Sequence, residues 1–233
     1  MSFMLNPYIS GGGGGGDGYT TITELHFEGS EGGTTYTDDA PSPLTWGGTA
    51  QTKTAAVYEG TRGADFTSIR EMYQPTFAGT GASGFNFGSD DFTIEISTYF
   101  VSIPGAGNYR FMIAKDDVAS TRGWNFIANG DSSGHIQFNM FDGATQYTVE
   151  WSTAPSSATW YRCKAERVGN DLNLYIDTGG GYSLVDTTDV TGASINSNTT
   201  AVIMGVLKNG GGVVSTSRHN GYMDYLLVRR KYP

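Results

Sequence analysis

One cysteine, Cys163, is all that 233 residues provide, so no disulfide can form within the chain. It lies in the stretch WYRCKAER, where it reads as a small buried hydrophobe. Charge is sparse as well: Asp, Glu, Lys and Arg make up 16% of the residues, and their balance is −9. An acidic surface repels phosphate backbones, so nucleic acid is not an expected partner. No apolar run reaches the ~18 residues of a membrane span. The opening stretch MSFMLNPYIS holds neither a basic segment nor a continuous apolar one. No secretory signal is therefore expected, and synthesis in a reducing cytoplasm is. The three histidines, His26, His135 and His219, are scattered without HxxxH or HExxH spacing, which argues against zinc. No long window carries a 3.6-residue apolar period, so helices are not expected to build the core.

What the chain has in quantity is glycine, 34 residues, together with 14 Tyr and 12 Phe. Aromatic and β-branched side chains suit a pleated, half-buried surface, and glycine marks the turns between such surfaces. The clearest alternation begins at Phe92, where Phe92, Ile94 and Ile96 oppose Thr93, Glu95 and Ser97. The same period runs through His135–Phe141, with Ile136, Phe138 and Met140 opposed to His135, Gln137 and Asn139. Asp142-Gly143 and Gly169-Asn170 are hairpin turns between alternating runs. Further strands are expected at Thr21–Phe27, Thr34–Thr37, Ala55–Tyr58, Ser68–Met72, Tyr109–Lys115, Gly123–Ala128, Thr145–Trp151, Trp160–Val168, Asp171–Ile176, Tyr182–Val185, Val202–Val206 and Gly221–Arg229. About a dozen short strands at regular spacing predict a sandwich or barrel.

Residues 1–18 form a separate unit. Phe3, Met4, Leu5, Tyr8 and Ile9 are apolar, and six consecutive glycines follow, Gly11 to Gly16. Ordering six such residues costs on the order of 6–12 kcal/mol, which a neighbouring subunit would have to offset. The expectation is an assembly arm that docks into a partner, followed by one folded domain over 19–233.

Two short motifs suggest chemistry that their context denies. Gly79–Gly84 matches GxGxxG, but FNFGSDDFTIEI follows where a pyrophosphate site needs a helix. Gly130–Gly134 matches GxSxG, but strands flank it, whereas a nucleophile elbow turns from strand to helix.

Four segments carry a family resemblance: ELHFEGSEGGTTYTD (Glu24–Asp38), DFTIEISTYF (Asp91–Phe100), TWYRCKAERVGNDLNLYID (Thr159–Asp177) and NGYMDYLLVRR (Asn220–Arg230). In this order they resemble the concanavalin A-like, laminin-G-like jelly roll, of the kind found in bacteriophage structural proteins. The resemblance implies an all-β, two-sheet antiparallel sandwich. It also implies a structural calcium held by Asp224 with Glu24 or Glu28, because calcium takes several hard oxygens. Glycosidases of that superfamily place several carboxylates on one strand; Thr93–Ser97 offers only Glu95, so no enzyme is expected.

The resemblance and the arm together imply a non-enzymatic virion protein, a capsid decoration or a tail or fibre component. It would be a homo-oligomer held to other virion proteins through the arm. The alternative is a lectin-like module for host-surface carbohydrate. Its candidate residues are Trp124, Asn125, Asn139, Tyr147 and Trp151, since sugars take ring faces and amide hydrogen bonds. Trp160 is assigned to the core.

Overall fold

The computed structural model describes residues 18–68, 70–74, 84–116, 122–209 and 212–232. The arm residues Phe3, Met4, Leu5, Tyr8 and Ile9, and Gly79–Ser83 of the GxGxxG motif, lie outside them. Among the described residues there are seventeen strands and no α-helix. In chain order they are β1 (Tyr19–Leu25), β2 (Gly47–Gly48), β3 (Gln51–Lys53), β4 (Gly63–Asp65), β5 (Met72–Gln74), β6 (Asp91–Phe100), β7 (Tyr109–Lys115), β8 (Trp124–Asn129) and β9 (His135–Asp142). They continue as β10 (Thr145–Trp151), β11 (Thr159–Val168), β12 (Asp171–Asp177), β13 (Ser183–Asp189), β14 (Val202–Met204), β15 (Val206–Asn209), β16 (Gly212–Arg218) and β17 (Gly221–Lys231). None of the described residues forms a helix long and apolar enough to cross a membrane.

The strands make two sheets. The eight-stranded sheet runs β13-β12-β11-β6-β17-β4-β3, with β1 also paired to β17. The nine-stranded sheet runs β10-β9-β8-β7-β14-β5-β2, and the β15–β16 hairpin joins it along β7. The fold is thus an all-β, two-sheet jelly-roll sandwich, as the resemblance implies.

The core is where the alternating faces meet. Phe92, Ile94 and Ile96 of β6 and Tyr161, Cys163 and Ala165 of β11 point inward from one sheet. Trp124, Phe126, Ile136, Phe138 and Met140 point inward from the other. Phe87 stacks on Phe92 at 4.5 Å and on Trp124 at 5.7 Å, and Phe138 lies 5.7 Å from Phe92, so aromatic rings bridge the layers. Each such ring contributes roughly 1.5–3 kcal/mol by leaving water.

Several expected elements differ. Ala55–Tyr58 is not a strand: Thr54–Ala56 is a single 3-10 turn. Thr34–Thr37 makes only an isolated bridge, Tyr36 to Trp46. The strand expected at Ser68–Met72 occupies Met72–Gln74 instead, and β2, β3, β4 and the β15–β16 hairpin come in addition. Trp160 is not in the core. Tyr161 takes the inward phase of β11, so Trp160 sits half-buried on the outer face, between Tyr58 at 5.4 Å and Tyr99 at 5.5 Å.

Candidate functional site

The outer face of the nine-stranded sheet carries a groove of about 460 Å³. Its floor comes from β7, β8, β9 and β10, and its wall from the β15–β16 hairpin. Local alternation puts the floor there. Trp124, Phe126 and Ala128 of β8 face the core, so Asn125, Ile127 and Asn129 face the groove. On β9 the same logic sends Gln137 and Asn139 into the groove.

The wall arises at Gly205, between β14 and β15. Its φ is +85°, and a β-carbon there would collide with the Phe66 ring. Glycine therefore lets the chain leave the sheet as a hairpin. The hairpin returns to β7 through a parallel pairing of Ser217 with Tyr109.

Along the floor runs a continuous chain of amides. Gln146 Nε2 and Thr148 Oγ1 donate to Asn139 Oδ1 at 2.9 and 2.7 Å. Asn139 Nδ2 donates to Asn125 Oδ1 at 2.8 Å, and Asn125 Nδ2 donates to Asp116 Oδ2 at 2.8 Å. Asp116 is buried and is held by Arg122, whose Nε and Nη2 donate at 3.0 and 2.8 Å. A second chain links Asn129, Gln137, Glu150 and His135: Asn129 Nδ2 reaches Gln137 Oε1 at 3.1 Å, and His135 Nδ1 lies 2.8 Å from Glu150 Oε1.

An apolar strip lies beside the amides. Phe111, Ala114, Ile127 and Leu207 form a small outer cluster, with Tyr109 and Val214 packed on it. Tyr109 is half-buried and anchors its hydroxyl by donating to Asp131 Oδ2 at 2.8 Å. That bond, followed by burial, raises the pKa of the phenol. The groove thus offers fixed amide donors and acceptors next to a ring held at a set angle. This is chemistry for hydroxyl-rich, partly apolar ligands.

The sequence candidates fall on different sides of the sheet. Asn125 and Asn139 line the groove. Trp124 does not: it is fully buried, its Nε1 donates to Phe85 O at 3.1 Å, and no ring face is left for a sugar. Tyr147 and Trp151 share the core-facing phase of β10 with Val149 and pack against the core, while Gln146 and Thr148 face the other way. Sequence reasoning missed Gln137, Gln146, Asn129, Tyr109, Arg122 and the hairpin wall. The polar phase of His135, Gln137 and Asn139 was a usable signal for the floor.

The expected calcium ligands are not assembled. Glu24 pairs with His26 at 3.4 Å. Glu28 accepts from Thr61 N at 2.7 Å and from the Thr61 hydroxyl at 2.5 Å. Asp224 is buried at the register shift in β17, and its Oδ2 accepts the backbone N–H groups of Tyr58 and Glu59. Its Oδ1 is buried without a hydrogen bond, and burial pushes the carboxyl up to about 7. Among the described residues no three His, Cys, Asp or Glu side chains converge as metal ligands would. Glu24, Glu28 and Asp224 Oδ2 are engaged by N–H and O–H donors or by His26, which leaves of this set only Asp224 Oδ1 without a partner, where calcium takes several hard oxygens. The GxSxG stretch is a turn between β8 and β9, and Ser132 Oγ accepts from Gln137 Nε2 at 3.3 Å.

No family model matches the chain, and no curated protein matches it in sequence. Its backbone is similar to solved structures. Domain 4 of the arabinanase AbnA from Geobacillus stearothermophilus, solved with arabinotriose, superposes with a TM-score of 0.62 at 10% identity, over 92% of this chain and 94% of that one. The CBM40 domain of a Ruminococcus gnavus IT-sialidase gives 0.53 at 14% identity, over 69% and 85%. The binding domain of botulinum neurotoxin DC in complex with SialylT gives 0.57 at 9% identity, over 90% and 47%, so this chain spans about half of that chain's length. At such identities the likeness shows the sandwich fold.

Proposed function

We propose that this chain is a non-catalytic carbohydrate-binding domain whose ligand lies along the groove of the nine-stranded sheet. The observation that carries the reading is the ordered run Gln146–Asn139–Asn125–Asp116 beside the Tyr109 and Phe111 rings. Sugars are recognised by fixed polar partners and by apolar ring contact, and both are in place before any ligand arrives. The sugar-bound neighbours of the same fold add support. Binding is favoured over hydrolysis because the carboxylates at the floor are engaged, Asp116 by Arg122 and Asn125, and Glu150 by Gln137 and His135.

The test is a glycan array followed by titration calorimetry on the best ligands. Tyr109→Ala and Asn139→Ala are each expected to weaken binding about tenfold or more, as expected for losing one ring or one buried hydrogen-bond partner. Full retention of affinity in both variants would remove the groove from consideration.

A second reading, compatible with the first, is that the domain rides on a bacteriophage particle and is held there by residues 1–18. It is supported by the apolar residues Phe3, Met4, Leu5, Tyr8 and Ile9, the glycine run and the jelly-roll resemblance. In that setting the partners are other virion proteins and further copies of this chain, and the groove faces host glycans. Deleting residues 1–18 is expected to leave glycan binding intact and to abolish incorporation into the particle.

A further inference from the structure

We infer that the groove selects uncharged glycans and that Asp116 enforces the choice by neutralising Arg122; this rests on the carbohydrate-binding reading above. Among the described lining residues, Arg122 is the only cation. A guanidinium in a groove is the natural receptor for a carboxylate-bearing sugar, because its planar fork grips both oxygens. Here one edge of that fork is already filled and its charge is met. Nε donates to Asp116 Oδ1 at 3.0 Å and Nη2 donates to Oδ2 at 2.8 Å. The guanidinium also lies 3.9 Å from the centre of the Phe141 ring, which fixes its plane.

Asp116 is placed to keep that fork occupied. Its side chain is fully buried, whereas 36% of the Arg122 side chain remains exposed. Asn125 Nδ2 donates to Asp116 at 2.8 Å from the floor side, so the carboxylate is tied to the groove as well as to the cation. The other lining side chains are uncharged. Asp131 behind Tyr109 and Glu150 behind Gln137 add negative potential at the groove's edges. The whole chain, at −9, repels an anionic sugar before contact. A neutral chain of hydroxyls meets none of these penalties and is offered the amides of Asn129 and Gln146, which Asn139 and Gln137 hold in place.

The experiment measures binding of matched pairs that differ by one carboxylate, lactose against α2,3-sialyllactose and a neutral oligosaccharide against an oligouronide, at low and high salt. The wild-type chain is expected to prefer the neutral member of each pair. Asp116→Asn keeps the shape and releases the Arg122 charge; it is expected to raise affinity for the acidic members at least tenfold, an effect that salt diminishes. The double variant Asp116→Asn/Arg122→Gln is expected to lose that gain. A melting curve confirms that each variant is folded. If Asp116→Asn does not fold, Arg122→Gln is read instead: freeing the Asp116 charge is expected to widen the preference for the neutral member of each pair, and an unchanged preference would overturn the pairing of Asp116 with Arg122 as its cause. Equal or tighter wild-type binding of the acidic members, abolished by Asn139→Ala, would overturn the charge selection and leave the groove standing. Binding of neither member across the array would overturn the groove and this inference together.

Discussion

Asn125 and Asn139 stand directly opposite one another on β8 and β9, and the Asn139 amide donates to the Asn125 amide at 2.8 Å. Both are almost fully buried, so each depends on the other for a partner that water does not supply. Replacing Asn139 by Ala strands Asn125 Oδ1 and takes the acceptor from the Thr148 hydroxyl, while Gln146 keeps Thr148 Oγ1 as a partner. The expected loss is about 2 kcal/mol of folding stability. In a double-mutant cycle with Asn125→Ala, urea denaturation should give a coupling energy of about 1 kcal/mol. Strict additivity would mean that water replaces the amide in solution.

Two buried groups set opposite pH slopes. His219 sits against the edges of Phe66 and Phe100, with Thr98 Oγ1 3.4 Å from Nε2 and Arg110 the charge that acts on it. Burial pushes its imidazole down to about 3 from 6.5. The unfolded chain takes up a proton that the folded chain refuses, so this stability is present above 6.5 and is lost as pH falls towards 3. Asp224 behaves the other way. Its folded carboxyl titrates at about 7 against 3.8 unfolded, facing Glu28 and Glu59, so its contribution is present below 3.8 and is lost as pH rises through 7. Denaturation midpoints are expected to vary little between about 4 and 6.5, where the two slopes oppose each other. His219→Phe should make stability rise as pH falls through that window. Asp224→Asn should stabilise the chain above pH 7 and steepen its acid loss. Unchanged profiles in both variants would contradict this assignment.

Calcium is expected to leave the melting temperature unmoved. Glu28 and Asp224 are engaged by backbone N–H groups, and Glu24 faces His26. A ligand that bound the folded state would raise the midpoint with its concentration. A shift on adding calcium, reversed by chelator, would show that these carboxylates rearrange around the ion.

Gly205→Ala is expected to cost more stability than an ordinary glycine substitution, roughly 2 kcal/mol or more, because a positive φ and a steric collision coincide there. The same change should displace the hairpin and weaken glycan binding. Proteolysis between β15 and β16, compared with the parent chain, reports the displacement.

The sandwich was legible wherever one strand had one buried face. Phe92, Ile94 and Ile96 declared β6, and the Asp142-Gly143 and Gly169-Asn170 turns fixed the two hairpins that follow the same rule. The site was legible only in part. Trp124 was read as exposed, although Phe126 and Ala128 share its phase and lie in the core. A single step along β8 separates it from Asn125, and at period two a single step changes the face. The wall was not legible. Leu207 and Val214 reach the groove because Ser217 pairs with Tyr109, more than a hundred residues away, and no local pattern encodes such a pairing. Asp224 had a recognisable place in its strand, but its Oδ2 went to the Tyr58 and Glu59 N–H groups, whose approach depends on how the chain packs after Thr54–Ala56.

The hairpin that walls the groove is rooted at Gly205 and returns at Ser217, while the sheet beneath keeps its own register through β7, β8 and β9. On the proposed reading, the breadth of the ligand and the grip on it rest on separate parts: Leu207, Asn209 and Val214 of the hairpin set how wide a molecule enters, and the amides of the floor set how firmly it is held. A library randomised at Leu207, Asn209 and Val214 would then explore new specificities on an unaltered frame.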